Sequence, residues 1–151
     1  MSIKEEVDIL RNIPLFAKLE PAKLKLLAFT SERLNFAPGQ PLFNQGDPGD
    51  AAYVIIDGEA DVLVDTAAGK TRVAALSRNA IVGEIAILCD VPRTATVVAK
   101  SPLTVLRIAK DTFFRLVTEF PLMAVEIMRE LALRVERMNA QLREVMSRKA
   151  G

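Results

Sequence analysis

Histidine is absent from the 151 residues. That removes the usual general base near neutrality, the usual metal ligand and any serine–histidine arrangement, so no metal site and no hydrolytic centre is expected. Cysteine is nearly absent: Cys89 stands alone, which excludes an internal disulfide and suits a reducing compartment. The simplest role for Cys89 is a small apolar residue after a short helix. Net charge is nearly absent as well. Twenty basic side chains against 19 acidic ones leave +1, no electrostatic footprint for nucleic acid or an anionic membrane. No apolar run approaches the roughly 20 residues of a membrane span, and the N-terminus lacks a signal-peptide pattern, so the cytoplasm is the expected location. What is present is a chain 50% hydrophobic and 26% charged, enough to bury a core as one domain over residues 1–151.

Residues 1–32 read as helices. Ser2 and Glu5 have the spacing of a capping box, and Val7, Leu10 and Ile13 form an apolar face before Pro14 breaks the pattern. A second helix opens at Glu20-Pro21 with Leu24, Leu27 and Ala28 on one side, and Leu15, Phe16 and Leu19 between the two read as core.

From 33 to 109 the period changes. Turn signals at Ala37-Pro38-Gly39 and Gly46-Asp47-Pro48-Gly49-Asp50 flank a short strand at 41–45. Residues 53–56 and 60–64 around Asp57-Gly58 have the pattern of a hairpin. A further turn at 67–70 leads to a strand at 71–76, and strands at 94–99 and 104–108 follow around Ser101-Pro102. Short strands joined by Gly/Pro turns at this density predict a mainly β fold, an antiparallel sandwich or barrel of the jelly-roll kind with flanking helices.

Residues 110–148 return to helix. Asp111 is placed to cap one helix through 118, and Pro121 to open a long one to about 147. In that helix Ala124, Met128, Leu131, Val135, Met138, Leu142 and Val145 recur at gaps of 4, 3, 4, 3, 4 and 3, a heptad seam of about three repeats. Its first half can pack on the body of its own chain. Beyond Met138 little chain remains to cover the stripe, which points to a parallel contact with a second copy.

The stretch that gathers chemistry is 82–99, VGEIAILCDVPRTATVVA. Gly83 stands where a backbone must pass close to a neighbour, and residues 84–88 allow about one helical turn. The opening amides of a helix have no partner inside it and the dipole is positive there, so the turn is suited to an anion. Pro92-Arg93-Thr94 then supplies a fixed cation and a hydroxyl before a β-branched run. Glu84 is an acceptor that would repel a bare anion but suits a ligand with hydroxyls beside its phosphate. Taken singly, each has a plainer role: Glu84 complementing a helix dipole, Arg93 a solvated charge, Thr94 a strand residue. No single structural need explains the ordered combination.

Gly83-Glu84-Ile85-Ala86-Ile87-Leu88 followed by Pro92-Arg93-Thr94-Ala95-Thr96-Val97 resembles the phosphate-binding cassette of the cyclic nucleotide-binding domain family, here at 82–95. That family includes catabolite activators, kinase regulatory subunits and nucleotide-gated channels. The resemblance implies a jelly-roll barrel (double-stranded β-helix) with a mobile N-terminal helical bundle, a short cassette helix and a long C-terminal helix. It implies cAMP or cGMP as ligand, with no further cofactor. Glu84 would take the ribose 2′-hydroxyl, Arg93 the cyclic phosphate, and the amides of Ile85 and Ala86 the rest of the cradle, with Gly83 and Ala95 beside them. Thr94 lies where members that bind cGMP often carry Thr, although members that bind cAMP can carry a hydroxyl there too. Val82 departs from the pattern, since an aromatic is frequent at that place. Arg134 resembles the position from which some bacterial channel domains set an arginine over the purine; the alternative is a solvated charge beside a coiled coil.

The expected function is a sensor that binds without catalysing and whose ligand moves the C-terminal helix, acting through an unidentified effector or as a homodimer. The family's DNA-reading helix-turn-helix is missing after that helix, which leaves a stand-alone sensor or a piece of a longer chain. A metal-dependent jelly-roll enzyme would need clustered histidines. The competing possibility is a domain of the same fold that binds no nucleotide and serves only in dimerisation or docking.

Overall fold

A computed structural model describes residues 3–150, without the side chains of 85, 86, 149 and 150. Two helices come first, α1 (Ile3–Arg11) and α2 (Pro21–Thr30). Pro21 opens α2 at the first helical position, where a missing N–H costs no intrahelical bond. Ser2 of the expected capping box lies outside the described residues.

Eight strands follow: β1 (Glu32–Phe36), β2 (Pro41–Phe43), β3 (Ala51–Asp57), β4 (Ala60–Thr66), β5 (Gly69–Leu76), β6 (Ile81–Val82), β7 (Thr96–Ala99) and β8 (Leu103–Ala109). They form two four-stranded antiparallel sheets in the orders β1-β8-β3-β6 and β2-β7-β4-β5. The expected barrel is thus two sheets sharing a core, not closed by a continuous hydrogen-bond ladder. Among the described residues, both sheets end in edge strands with no ladder partner in the other sheet.

The strand β3 is buried along nearly its whole length because both of its faces are covered. Ala51, Tyr53 and Ile55 point into the space between the sheets with Phe43, Val97, Leu103 and Val105. Their neighbours Ala52, Val54 and Ile56 point the other way, into a second core with Leu10, Phe16, Leu24, Leu27, Phe113, Met123 and Ile127. The period of two along one strand distributes its side chains between two cores.

The hairpin expected at Asp57-Gly58 is a corner. β3 lies in one sheet and β4 in the other, and Ala60 pairs with Ala99 of β7. Gly58 has φ 96, and a Cβ there would collide with the Pro102 carbonyl oxygen. An Asp-Gly pair supplies a positive φ, which serves a sheet-to-sheet corner as well as a tight hairpin. The hairpin is one turn later, where Thr66 pairs with Gly69 between β4 and β5.

Three helices complete the chain: α3 (Glu84–Cys89), α4 (Lys110–Glu119) and α5 (Pro121–Ala150). Asp111 does not cap α4. The helix begins one residue earlier with Ala109 at the cap and no side-chain cap bond, so Asp111 only complements the dipole in the first turn. α5 carries two stripes. Met123 and Ile127 are buried on the body of the domain and Leu131 packs against them. Met128, Val135, Met138, Leu142 and Val145 of the heptad seam are exposed, between 48% and 60%.

Candidate functional site

The site is built on the approach of two loops. Gly83 follows the two-residue strand β6 at φ 89 and is the residue from which α3 departs. Its left-handed conformation turns its carbonyl oxygen toward Arg93, whose Nη1 donates to it at 3.1 Å. A Cβ on Gly83 would lie 2.5 Å from that same Nη1, so only glycine meets both the dihedral and the clearance.

Arg93 lies three residues before β7, in the segment between α3 and that strand, and its side chain is 1% exposed. The backbone holds it from both sides. Its N–H donates to the Asp47 carbonyl at 2.8 Å, and its carbonyl accepts from the Gly46 N–H at 2.9 Å. The guanidinium lies over the Phe43 ring with Cζ 4.0 Å from the centroid, a cation–π contact away from bulk water. Nη2 donates to the Ala51 carbonyl at 2.6 Å and to Asp50 Oδ1 at 3.3 Å. Nε is buried without a hydrogen-bond partner among the described residues. Burial pulls the Arg93 pKa down, while Tyr53 and Asp50 pull it up; an arginine remains charged throughout the physiological range.

Glu84 is the first residue of α3, with its side chain 14% exposed. Its Oε1 accepts from Arg134 Nη1 of α5 at 3.3 Å. Ile85 and Ala86 lie in the first turn of α3, where backbone amides lack intrahelical acceptors. Thr94 is exposed and Ala95 half-buried. With Phe43, Val62, Leu76, Val82, Gly83, Glu84 and Arg93 they bound a cavity of about 210 Å³. At the other end of α3, Asp90 is left-handed at φ 53 and pairs with Lys110, whose hydrogen bond holds its carboxyl below the usual aspartate value.

The fold therefore brings Gly83, Glu84, Arg93, Thr94 and Ala95 to one cavity, with the first turn of α3 alongside. Arg134 does not line that cavity; it meets the cluster through Glu84. Cys89, expected just after the short helix, is the last residue of α3 and an exposed free thiol. Sequence reasoning missed the acceptors and the ring that hold Arg93: Asp50, the Ala51 carbonyl and Phe43. Asp50 closes a Gly/Pro/Asp turn and read only as turn chemistry. It accepts from two arginines, Arg93 and, at 3.4 Å, Arg107, and that pairing exists only once β3 and β8 are neighbours. Phe43 carried no signal beyond being apolar in a strand.

These features define a class: a jelly-roll domain whose barrel is interrupted by a short helix, with a buried arginine and a carboxylate on one cavity. The profile of the family described as "Cyclic nucleotide-binding domain" matches residues 33–120, more than half of the chain. The chain belongs to that family. It is 36% identical over 109 residues to a cAMP-dependent protein kinase regulatory subunit of Colletotrichum orbiculare, covering 72% of this chain and 27% of that one. The chain spans about a quarter of the length of the curated relatives it matches. Among solved structures, the N-terminal domain of a transcriptional regulator from Streptomyces coelicolor superposes with a TM-score of 0.80 at 30% identity, over 88% of this chain and 96% of that one. The catabolite activator protein of Thermus thermophilus superposes at 0.75 with 27% identity, over 88% of this chain and 63% of that one. Among the described residues no helix is long and apolar enough to cross a membrane.

Proposed function

We propose that this chain is a cyclic nucleotide sensor that binds cAMP or cGMP in the cavity between β6, α3 and β7 and catalyses nothing. The observation that carries the reading is Arg93: a buried guanidinium with an unspent Nε–H, bordering the same cavity as the Glu84 carboxylate and the opening turn of α3. A buried cation beside free amides is suited to a phosphodiester. A carboxylate next to it accepts from a ribose hydroxyl. No cofactor is required for this role. The kinase relatives are named for cAMP, which favours the adenine ligand; the exposed Thr94 hydroxyl on the cavity rim makes cGMP the comparison to run.

The response assigned to the ligand is a change in how α5 rests on the domain, driven by whatever contacts differ between its two positions. The exposed half of the heptad seam supports a parallel homodimer through α5, and the effector beyond it is a partner still to be found. The same exposed seam is the one feature that favours the second reading, a dimerisation module that binds no nucleotide.

Calorimetric titration of cAMP and cGMP into protein freed of nucleotide, with Arg93→Ala as control, separates the two. Removing the buried partner of a phosphate is expected to cost about 2–5 kcal/mol, roughly a 30-fold to several-thousand-fold loss of affinity. Absence of heat with either ligand, from folded wild-type protein, would leave the dimerisation module as the function.

A further inference from the structure

Arg93 is held more closely by neutral groups than by its counter-ion. Its Nη2 donates to the Ala51 carbonyl at 2.6 Å and its Nη1 to the Gly83 carbonyl at 3.1 Å, while Asp50 Oδ1 stands 3.3 Å from Nη2. The two carbonyls fix the guanidinium without neutralising it. A carboxylate that closed on Arg93 would take the charge a phosphodiester needs. The Asp50 main chain is fixed, its carbonyl accepting from the Lys110 N–H at 2.9 Å, but its side chain is 67% exposed and little packs against it.

On its other side Asp50 meets a second arginine. Arg107 stands in β8 opposite both Glu32 of β1 and Tyr53 of β3, and Tyr53 is in turn opposite Val82 of β6. One row of residues therefore crosses the whole sheet and ends beside Gly83. Next to Tyr53 in that row, Arg107 reaches two carboxylates with two nitrogens. Nη1 donates to Glu32 Oε1 at 3.0 Å and Nη2 to Asp50 Oδ2 at 3.4 Å. Asp50 is thus shared, one oxygen to each arginine. The two guanidiniums are not equally compensated. Burial pulls the Arg107 pKa down, but Tyr53, Asp50 and Glu32 outweigh burial and hold it above the usual arginine value; for Arg93 burial wins. Both stay charged at physiological pH.

We infer that Arg107 is a positioning residue of the nucleotide site: by holding Asp50 through Oδ2 it keeps that carboxylate from closing on Arg93, and so leaves the Arg93 charge for a phosphodiester. The inference rests on the nucleotide reading above. When a ligand takes Arg93, Asp50 keeps Arg107 as its partner and is not left uncompensated. Glu32 occupies the other nitrogen of Arg107 and leaves Nη2 to Asp50.

The test is calorimetric titration of cAMP, or of cGMP if it binds more tightly, into the whole chain freed of nucleotide, in variants checked for folding by urea unfolding. Arg107→Gln is expected to weaken the ligand about fivefold, the size of a partly exposed ion pair. Arg107→Lys, which keeps a charge but not the fork, is expected to lose less. The signature is a second step: Asp50→Asn introduced into Arg107→Gln is expected to recover most of the loss, and to gain more there than in the wild type. A residue that only braced the sheet would give a loss that removing a second charge does not repair. Glu32→Gln in the same background restores the same net charge without touching Asp50, and is expected to recover less than about half as much. If Arg107→Gln does not fold, Arg107→Lys carries the same comparisons. Undiminished affinity in the folded Arg107 variant, a loss that persists after Asp50→Asn, or equal recovery by Glu32→Gln would each overturn the inference and leave the nucleotide sensor intact. Failure of folded wild-type protein to bind cAMP or cGMP would overturn both.

Discussion

At Gly83 three demands meet in one residue: a φ of 89, a carbonyl turned to an arginine, and no room for a methyl group. The dihedral alone makes an L side chain costly, and the 2.5 Å approach of Arg93 Nη1 to a built Cβ adds a clash with a group held on three acceptors. Gly83→Ala is therefore expected to destabilise the fold by roughly 1–3 kcal/mol and to weaken nucleotide binding as well, since the group displaced is the one assigned to the phosphate. Urea unfolding and calorimetric titration of the same variant check both parts. Unchanged affinity in the variant would mean that Arg93 does not have to hold its present position for the site to work. The glycine was legible in the sequence as a place of close approach. What it approaches was not, because Arg93 is ten residues away and is held by Asp50 and Ala51 at the start of β3.

Among the elements, α5 is read most clearly from the chain and completed least by it. Its heptad spacing and its opening proline are sequence facts, and the helix forms as they require, from Pro121 onward. The spacing did not say which apolar residues the chain would cover for itself. The stripe that docks is Met123 and Ile127, one step round the helix from the seam, joined by Leu131 of the seam itself, and it leaves Met128, Val135, Met138, Leu142 and Val145 uncovered. If a second copy covers them, a charge placed in the exposed part of the seam must be buried without a partner. Leu142→Glu is expected to shift the protein from dimer to monomer in sedimentation velocity at micromolar concentration. Nucleotide affinity should stay within about twofold, because Leu142 is 58% exposed and remote from the cavity. A wild-type protein already monomeric at those concentrations would remove the dimer from the proposal. The turn at Asp57-Gly58 carries the opposite lesson. Its residues specify a positive φ, and only the partner of the next strand determines whether that becomes a hairpin or a corner.

For the whole molecule, β3 is the wall that the two cores share. Ile55 faces the space between the sheets and Val54 and Ile56 face the helices, all fully buried. A cavity cut on one side should therefore be felt by the entire domain. Ile55→Ala is expected to lower stability by about 2–5 kcal/mol, with sheet and helix signals still lost in one transition in urea, followed by circular dichroism and by amide exchange. Two separate transitions would mean that the helical layer and the sheets are independent units. The same shared wall explains why the cassette is reached by both halves of the structure. β6, which leads into Gly83, pairs with β3, and Ala51, whose carbonyl accepts from Arg93, is the first residue of that strand.

The amino-acid sequence by itself determined the class of fold and which residues of 83–95 come together at one cavity. These rest on local signals: period, turn residues, and the order of glycine, carboxylate, arginine and hydroxyl along 83–94. Tertiary structure decided what local signals cannot carry, namely partners. It placed Asp50 and Phe43 around Arg93, made a corner of the expected hairpin, left the barrel as two sheets, and set Arg134 of α5 on Glu84, 50 residues away in the chain. The physical reason is that a residue's own chemistry fixes what it is able to bind, while burial and strand pairing choose which of several suitable partners is within 3–4 Å of it.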